Sequence, residues 1–194
     1  MNFFQTLLLI GTTWISAIED LRCQKIPNIV TYPSMALAIG YHILSAGLSG
    51  LIFSAGGLAL GIAFFIVPYL LGGMGAGDAK LMGAAGAVLG PKGVIILAFI
   101  VIFLGGIYAL ILLIIHHDYS RSLLRRLGIT LKTFLLTHQL ILIPPGKDEK
   151  QPVLRYAVPI ALGALCYIVM QLTNFDLFLE LLGDKSEIFS IAMH

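Results

Sequence analysis

The sequence predicts an all-α polytopic membrane protein with about six transmembrane helices, and two observations lead to this prediction. Of the 194 residues, 58% are hydrophobic and only 11% are charged, whereas soluble proteins carry about 25% charged residues. Several apolar runs reach the length of about 20 residues that a helix needs to cross a bilayer. These runs are continuous, without the alternation of apolar and polar residues that marks a membrane β-barrel. We therefore expect a single integral membrane domain over residues 1–194.

Polar or glycine-rich turns separate the apolar segments along the chain. Six segments are predicted: residues 2–19, 28–46, 51–71, 78–89, 93–115 and 152–172. Turns are expected at Gly47-Leu48-Ser49-Gly50, between the second and third segments, and at Gly90-Pro91, which ends the fourth. Residues 116–151 are predicted to form a basic cytoplasmic loop between the fifth and sixth helices, and residues 173–194 a surface tail.

The fourth segment is short and rich in glycine and alanine. A helix of about 12 residues rises about 18 Å, which is less than the hydrocarbon thickness of about 30 Å. Small residues run from Gly83 to Ala87 and allow helices to approach closely in lipid. We expect this segment to be a short helix buried among the others.

The basic residues predict the orientation of the chain. If Asp20 and Asp78 face one side, ten of the twelve Lys and Arg residues lie on that side, and only Lys92 and Lys185 on the other. The positive-inside rule makes the basic side cytoplasmic. We expect a multi-pass protein of the inner (cytoplasmic) membrane, with both aspartates at the cytoplasmic face and both termini outside.

Asp20 and Asp78 are candidate functional residues because an uncharged stretch separates them. The 52 residues from Ile26 to Gly77 include no Asp, Glu, Lys or Arg, which is enough chain to cross a bilayer twice and return. Ionisable groups near a membrane core are costly and often functional. For each aspartate alone, a solvated helix end is the alternative. Gly75-Ala76-Gly77 can take positive φ and let another segment approach, and paired carboxylates suit an aspartic protease.

Two motifs, in this order, resemble those of the type IV prepilin peptidases. The segment from Gly72 to Gly90, with Gly75-Ala76-Gly77-Asp78 inside it, is similar to the GxGD segment of that family. The segment from Asp20 to Asn28 is similar to its first aspartate motif. Residues 156–163 resemble the family's last helix, so the resemblance runs from Asp20 to about Gly163.

The resemblance implies an aspartic endopeptidase that removes short basic leader peptides from pilin, pseudopilin or archaellin-like precursors at the cytoplasmic face. Asp20 and Asp78 would be the catalytic pair. Five neighbouring residues are expected to support the site: Gly75, Gly77, Lys80, Pro27 and Asn28. The implied partners are prepilin-like substrates with a basic leader and a hydrophobic helix, together with membrane lipid. We expect no nucleic-acid partner.

No metal or other cofactor is expected. The two cysteines, Cys23 and Cys166, have no CxxC spacing. Larger bacterial members of the family carry a cytoplasmic cysteine-rich insertion and also N-methylate the new N-terminus. Because this chain lacks four clustered cysteines, the resemblance implies the short peptidase-only type without methyltransferase activity.

Two alternatives use the same carboxylates. A small transporter or proton pathway often shows internal repeats, and this sequence has none. An intramembrane protease of the presenilin-like class also carries GxGD, with a tyrosine before its first aspartate and a late proline-alanine-leucine motif. Here Glu19 precedes Asp20, and Ile160 and Ala161 follow Pro159, so both positions depart from that class.

Overall fold

A computed structural model of the chain describes residues 1–70, 74–115 and 155–173. These residues form four α-helices: α1 (Phe3–Cys23), α2 (Asn28–Leu70), α3 (Ala76–Ile115) and α4 (Ala157–Leu172). All the regular secondary structure in the described ranges is helical, which confirms the all-α class. The predicted basic loop at 116–151 and the predicted tail, apart from Thr173, lie outside the described residues.

Contacts divide the chain into two units, one of Met1–Leu104 with Arg155–His194 and the other of Gly105–Leu154. The described part of the second unit, residues 105–115, is the C-terminal portion of α3. The packing and the site described below belong to the first unit. A single domain over the whole chain stays a prediction.

Each long helix contains one residue whose backbone is not helical. Gly47 in α2 has φ 60° and ψ −134°, and Gly90 in α3 has φ 72° and ψ −178°. Glycine adopts positive φ without the steric penalty that a Cβ atom brings. Both residues lie in turns that the sequence predicts, but the number of membrane crossings stays a prediction.

The helices α2 and α3 are long and apolar enough to cross a membrane, as judged by their length and composition. Large apolar side chains also lie on the surface of the first unit, among them Leu44 and Ile29, which are 90% and 82% exposed. Soluble monomers rarely expose extensive apolar surface, whereas lipid covers it at little cost. These features are those of a membrane protein.

The first part of α3 lies in the interior of the first unit. Residues 81–90 are all buried, and the side chains of Leu81 and Met82 are completely inaccessible. This agrees with the expectation of a short buried segment that ends at Gly90.

Glycines bring the backbones of α2 and α3 into direct contact. A Cβ atom added at Gly57 would overlap the carbonyl oxygen of Gly86, and one added at Gly86 would overlap that of Gly57. Near this contact, Ser54 Oγ donates a hydrogen bond of 2.8 Å to the carbonyl oxygen of Ala87. The two backbones can approach this closely only because both contact positions lack side chains.

Replacing Gly57 by alanine should therefore destabilise the protein. The added methyl group meets backbone atoms, which cannot rotate away, so we expect Gly57→Ala to lower stability by about 1–3 kcal/mol, as overpacking does. Thermal unfolding of the detergent-solubilised protein measures this change.

Gly40→Ala is the matched control on the same helix, because a Cβ atom there meets nothing within 4 Å. It should leave stability unchanged or raise it slightly, since alanine is the better helix former. Equal unfolding temperatures for the two variants would contradict the assigned contact.

Candidate active site

The two aspartates lie at helix ends and line the same pocket. Asp20 is near the C-terminus of α1 and Asp78 is in the first turn of α3. Their side chains are only 8% and 6% exposed. The pocket has a volume of about 320 Å³, and the two carboxyl groups are near enough to interact electrostatically. The fold thus brings together the two residues that the sequence singled out.

Asp78 is held by the turn that begins α3. Its Oδ2 accepts a hydrogen bond of 3.1 Å from the backbone N–H of Gly75, and its own N–H donates to the carbonyl oxygen of Gly75 at 3.1 Å. The carboxylate therefore folds back over the free N–H groups at the start of the helix, which favour a negative charge.

Gly75 and Gly77 were expected to allow either positive φ or close approach of another segment. In the described residues, positive φ occurs at Gly47, Gly90 and Gln24, so Gly75 and Gly77 do not use the positive φ that glycine permits. Close approach of another segment is seen at Gly77, where an added Cβ atom would lie 3.0 Å from Ile26 Cβ. The connection between α1 and α2 thus packs against the start of α3.

Asp20 is held between the end of α1 and the start of α4. The backbone N–H of Ala157, the first residue of α4, donates to the Asp20 carboxylate. Its Oδ2 atom is buried and has no hydrogen-bond partner among the described residues. Arg155 Nη1 donates a hydrogen bond of 3.0 Å to the carbonyl oxygen of Leu21, next to Asp20.

The surroundings of Asp20 act on its charge in opposite directions. Asp20 follows the predicted first membrane segment, which ends at Glu19. Burial raises the pKa of Asp20 above its ordinary value, while the Arg155 guanidinium and the Ala157 N–H oppose this increase. Burial raises the pKa because removal from water disfavours the charged form. Its effect is larger than that of Arg155 and Ala157.

The five predicted supporting residues lie around the pocket, and four of them line it: Asn28, Gly75, Gly77 and Lys80. Lys80 Nζ donates to Asn28 Oδ1 at 3.2 Å and lies 5.4 Å from the centre of the Tyr32 ring. Lys80 is therefore attached to the start of α2. Pro27 directly precedes α2, and its carbonyl oxygen accepts the N–H of Val30 at 3.1 Å.

Sequence reasoning missed the contribution of the segment that precedes α4. The sequence predicts only that Arg155 is one of the ten basic residues on the cytoplasmic side. In the structure it interacts electrostatically with Asp20, and Tyr156 lies near enough to Asp78 to interact with it in the same way. The available signal was a cation near the start of the predicted sixth segment, residues 152–172. It did not indicate which helix end the cation would meet.

A second pocket, of about 370 Å³, lies between α1 and α2. Its lining is mainly apolar and includes no ionisable side chain: Phe4, Leu7, Leu8, Gly11, Thr12, Ile15, Ile29, Val30, Pro33, Ser34 and Leu37. It is larger than the aspartate pocket but offers no acid, base or nucleophile stronger than a hydroxyl group. The candidate chemistry therefore belongs to the smaller pocket.

Comparison with known proteins agrees with the resemblance seen in the sequence. The profile of the type IV leader peptidase family matches residues 7–110, just over half of the chain. This range includes both aspartates, whereas Arg155 and α4 lie beyond it. No curated protein and no solved structure gave a significant match. The family match favours a protease over the transporter alternative, and the chain belongs to the type IV leader peptidase family.

Proposed function

We propose that this protease is an aspartic endopeptidase that cleaves the short basic leader from type IV prepilin-like precursors at the cytoplasmic face of the inner membrane. The family match supports leader-peptidase activity and prepilin-like substrates in general. The aspartic mechanism is supported mainly by the pocket that Asp20 and Asp78 line together. Charge placement supports the cytoplasmic face, because ten of the twelve basic residues share the side assigned to the aspartates.

The chemistry follows from placing two carboxyl groups close together. Both cannot ionise easily, so the pair holds one proton. The ionised carboxylate removes a proton from a water molecule, whose oxygen attacks the scissile carbonyl carbon. The protonated carboxyl group donates to the carbonyl oxygen, and a proton then passes to the leaving amine as the C–N bond breaks.

The position of the pocket suits a substrate that is both basic and hydrophobic. Its lining comes from the end of α1, the connection to α2 and the start of α3, including Gln24 and Ala76. The charge pattern assigns these helix ends, and the connection between α1 and α2, to the membrane surface. A basic leader would lie in the aqueous region there, while the apolar helix that follows it would pack among the helices in lipid.

Removing the charge of either aspartate should abolish processing. Asn has nearly the same shape as Asp but cannot take a proton from water, so Asp20→Asn and Asp78→Asn should each lose about 100-fold or more in cleavage rate. The measurement is leader removal from a prepilin-like reporter, read as a mobility shift after co-expression.

Glu19→Gln is the matched control, because it neutralises the neighbouring carboxylate, which does not line the pocket. This variant should process the reporter at close to the wild-type rate. Membrane insertion is checked for all three variants. Full processing by either Asn variant would refute the catalytic pair.

The cleaved product should remain unmethylated. The chain has only two cysteines, and they lie on different helices, α1 and α4. After incubation with S-adenosylmethionine, mass spectrometry of the mature reporter should show a free N-terminal amine. A methylated product formed by the purified protein would contradict the peptidase-only assignment.

A further inference from the structure

We propose that Arg155 is a positioning residue that holds Asp20 as the ionised member of the pair, so that Asp20 is the general base and Asp78 carries the shared proton. This inference rests on the proposed aspartic peptidase mechanism and assigns separate roles to its two carboxyl groups. Arg155 lies outside the part of the chain that matches the family.

Helix ends alone would favour the opposite assignment. Asp20 is close to the C-terminus of α1, where the free carbonyl groups disfavour a negative charge, whereas Asp78 is in the first turn of α3, where the free N–H groups favour one. Each of these effects is modest at an exposed helix end and is confined to the first or last turn. If the helix ends were the only influence, Asp78 would be the more acidic of the two.

Arg155 changes this balance in two ways. Its guanidinium donates to the carbonyl oxygen of Leu21 at 3.0 Å, so it satisfies one of the free carbonyl groups of α1 and offsets the negative end of that helix. Its positive charge also lies near enough to Asp20 to favour the ionised carboxylate electrostatically. A neighbouring opposite charge favours the ionised carboxylate by about 1–3 pKa units, which exceeds the effect of the helix ends.

The same contact brings a second stabilising group to Asp20. Because Arg155 attaches the chain before α4 to the end of α1, the N–H of Ala157 can donate to the Asp20 carboxylate. The N-terminus of α4 and the guanidinium thus both stabilise the negative charge of Asp20. Among the described residues, Asp78 accepts a hydrogen bond only from the N–H of Gly75 in its own turn, and it faces the negative charge of Asp20.

Other ionisable groups surround Asp20 in the described part of the chain. They are Glu19, Arg22 and Cys23 on α1, Lys25 after it, Asp78 and Lys80 on α3, and Tyr156 before α4. Lys80 is engaged with Asn28. Arg155 differs from the other cations because it is the one whose interaction with Asp20 is combined with a hydrogen bond to the adjacent carbonyl group.

The first test is the pH profile of reporter cleavage by the full-length protein in membranes. The reporter is a prepilin-like precursor with a lysine-rich leader followed by an apolar helix. Loss of Arg155 raises the pKa of Asp20, so the acidic limb of the profile should move to higher pH. We expect Arg155→Gln to shift this limb by about one pH unit, with activity restored at high pH.

Two further variants separate charge from structure. Arg155→Lys keeps the positive charge, so its acidic limb should stay near that of the wild type. Lys92→Gln removes an exposed cation that does not line the pocket, and its profile should equal that of the wild type. If Arg155→Gln lowers the rate equally at every pH, or leaves the profile unchanged, Arg155 does not control the charge of Asp20 and the proposal is wrong.

A second readout does not depend on cleavage. Dicyclohexylcarbodiimide adds to protonated carboxyl groups, and peptide mass spectrometry locates the adduct. At neutral pH the label should fall on Asp78 in the wild type and move toward Asp20 in Arg155→Gln. Labelling of Asp20 in the wild type, or no movement in the variant, would overturn the proposal. If the wild type cleaves no reporter, the proposed function fails, and the labelling pattern still tests Arg155.

Discussion

Two carboxyl groups that would repel each other if both were ionised lie buried against one pocket, and the rest of the site is arranged around this constraint. A buried charge is costly unless hydrogen bonds or opposite charges compensate it. Asp78 accepts the N–H of Gly75 from its own helix turn, whereas Asp20 depends on Ala157 and Arg155 from the other end of the chain. One carboxyl group is thus stabilised locally, and the other only after α1 and α4 have packed together.

The position of Asp78 depends on a backbone contact deeper in the protein. Gly57 and Gly86 place α2 directly against α3, and Lys80 joins the start of α3 to Asn28 at the start of α2. These two contacts hold α3 at the start and in the middle of its buried run, residues 81–90. Because the Gly57–Gly86 contact joins backbone atoms, which adjust less easily than side chains, it sets the relative position of the two helices closely.

The sequence predicted the features that depend on local pattern. Apolar runs predicted the helical class, and glycine-containing turns anticipated the non-helical backbone at Gly47 and Gly90. The two aspartates were found because an uncharged stretch separates them and because each belongs to a short motif. The contact of Arg155 with Leu21 could not be predicted, because it joins residues 134 positions apart. At Gly75 and Gly77 the absence of a side chain permits both positive φ and close packing, and the sequence does not distinguish these two uses.

The carboxyl groups and the groups that stabilise Asp20 therefore come from different parts of the sequence. The carboxyl groups come from the range that matches the family, residues 7–110, while Arg155 and Ala157 come from beyond it. A pair of like carboxyl groups in like surroundings has no fixed distribution of its single proton. An asymmetric environment is needed to give each group one role. Here the helix ends and the guanidinium act in opposite directions, and the larger effect of a full charge assigns the proton to Asp78. The segment before α4 thus completes a site whose reactive groups all lie earlier in the chain.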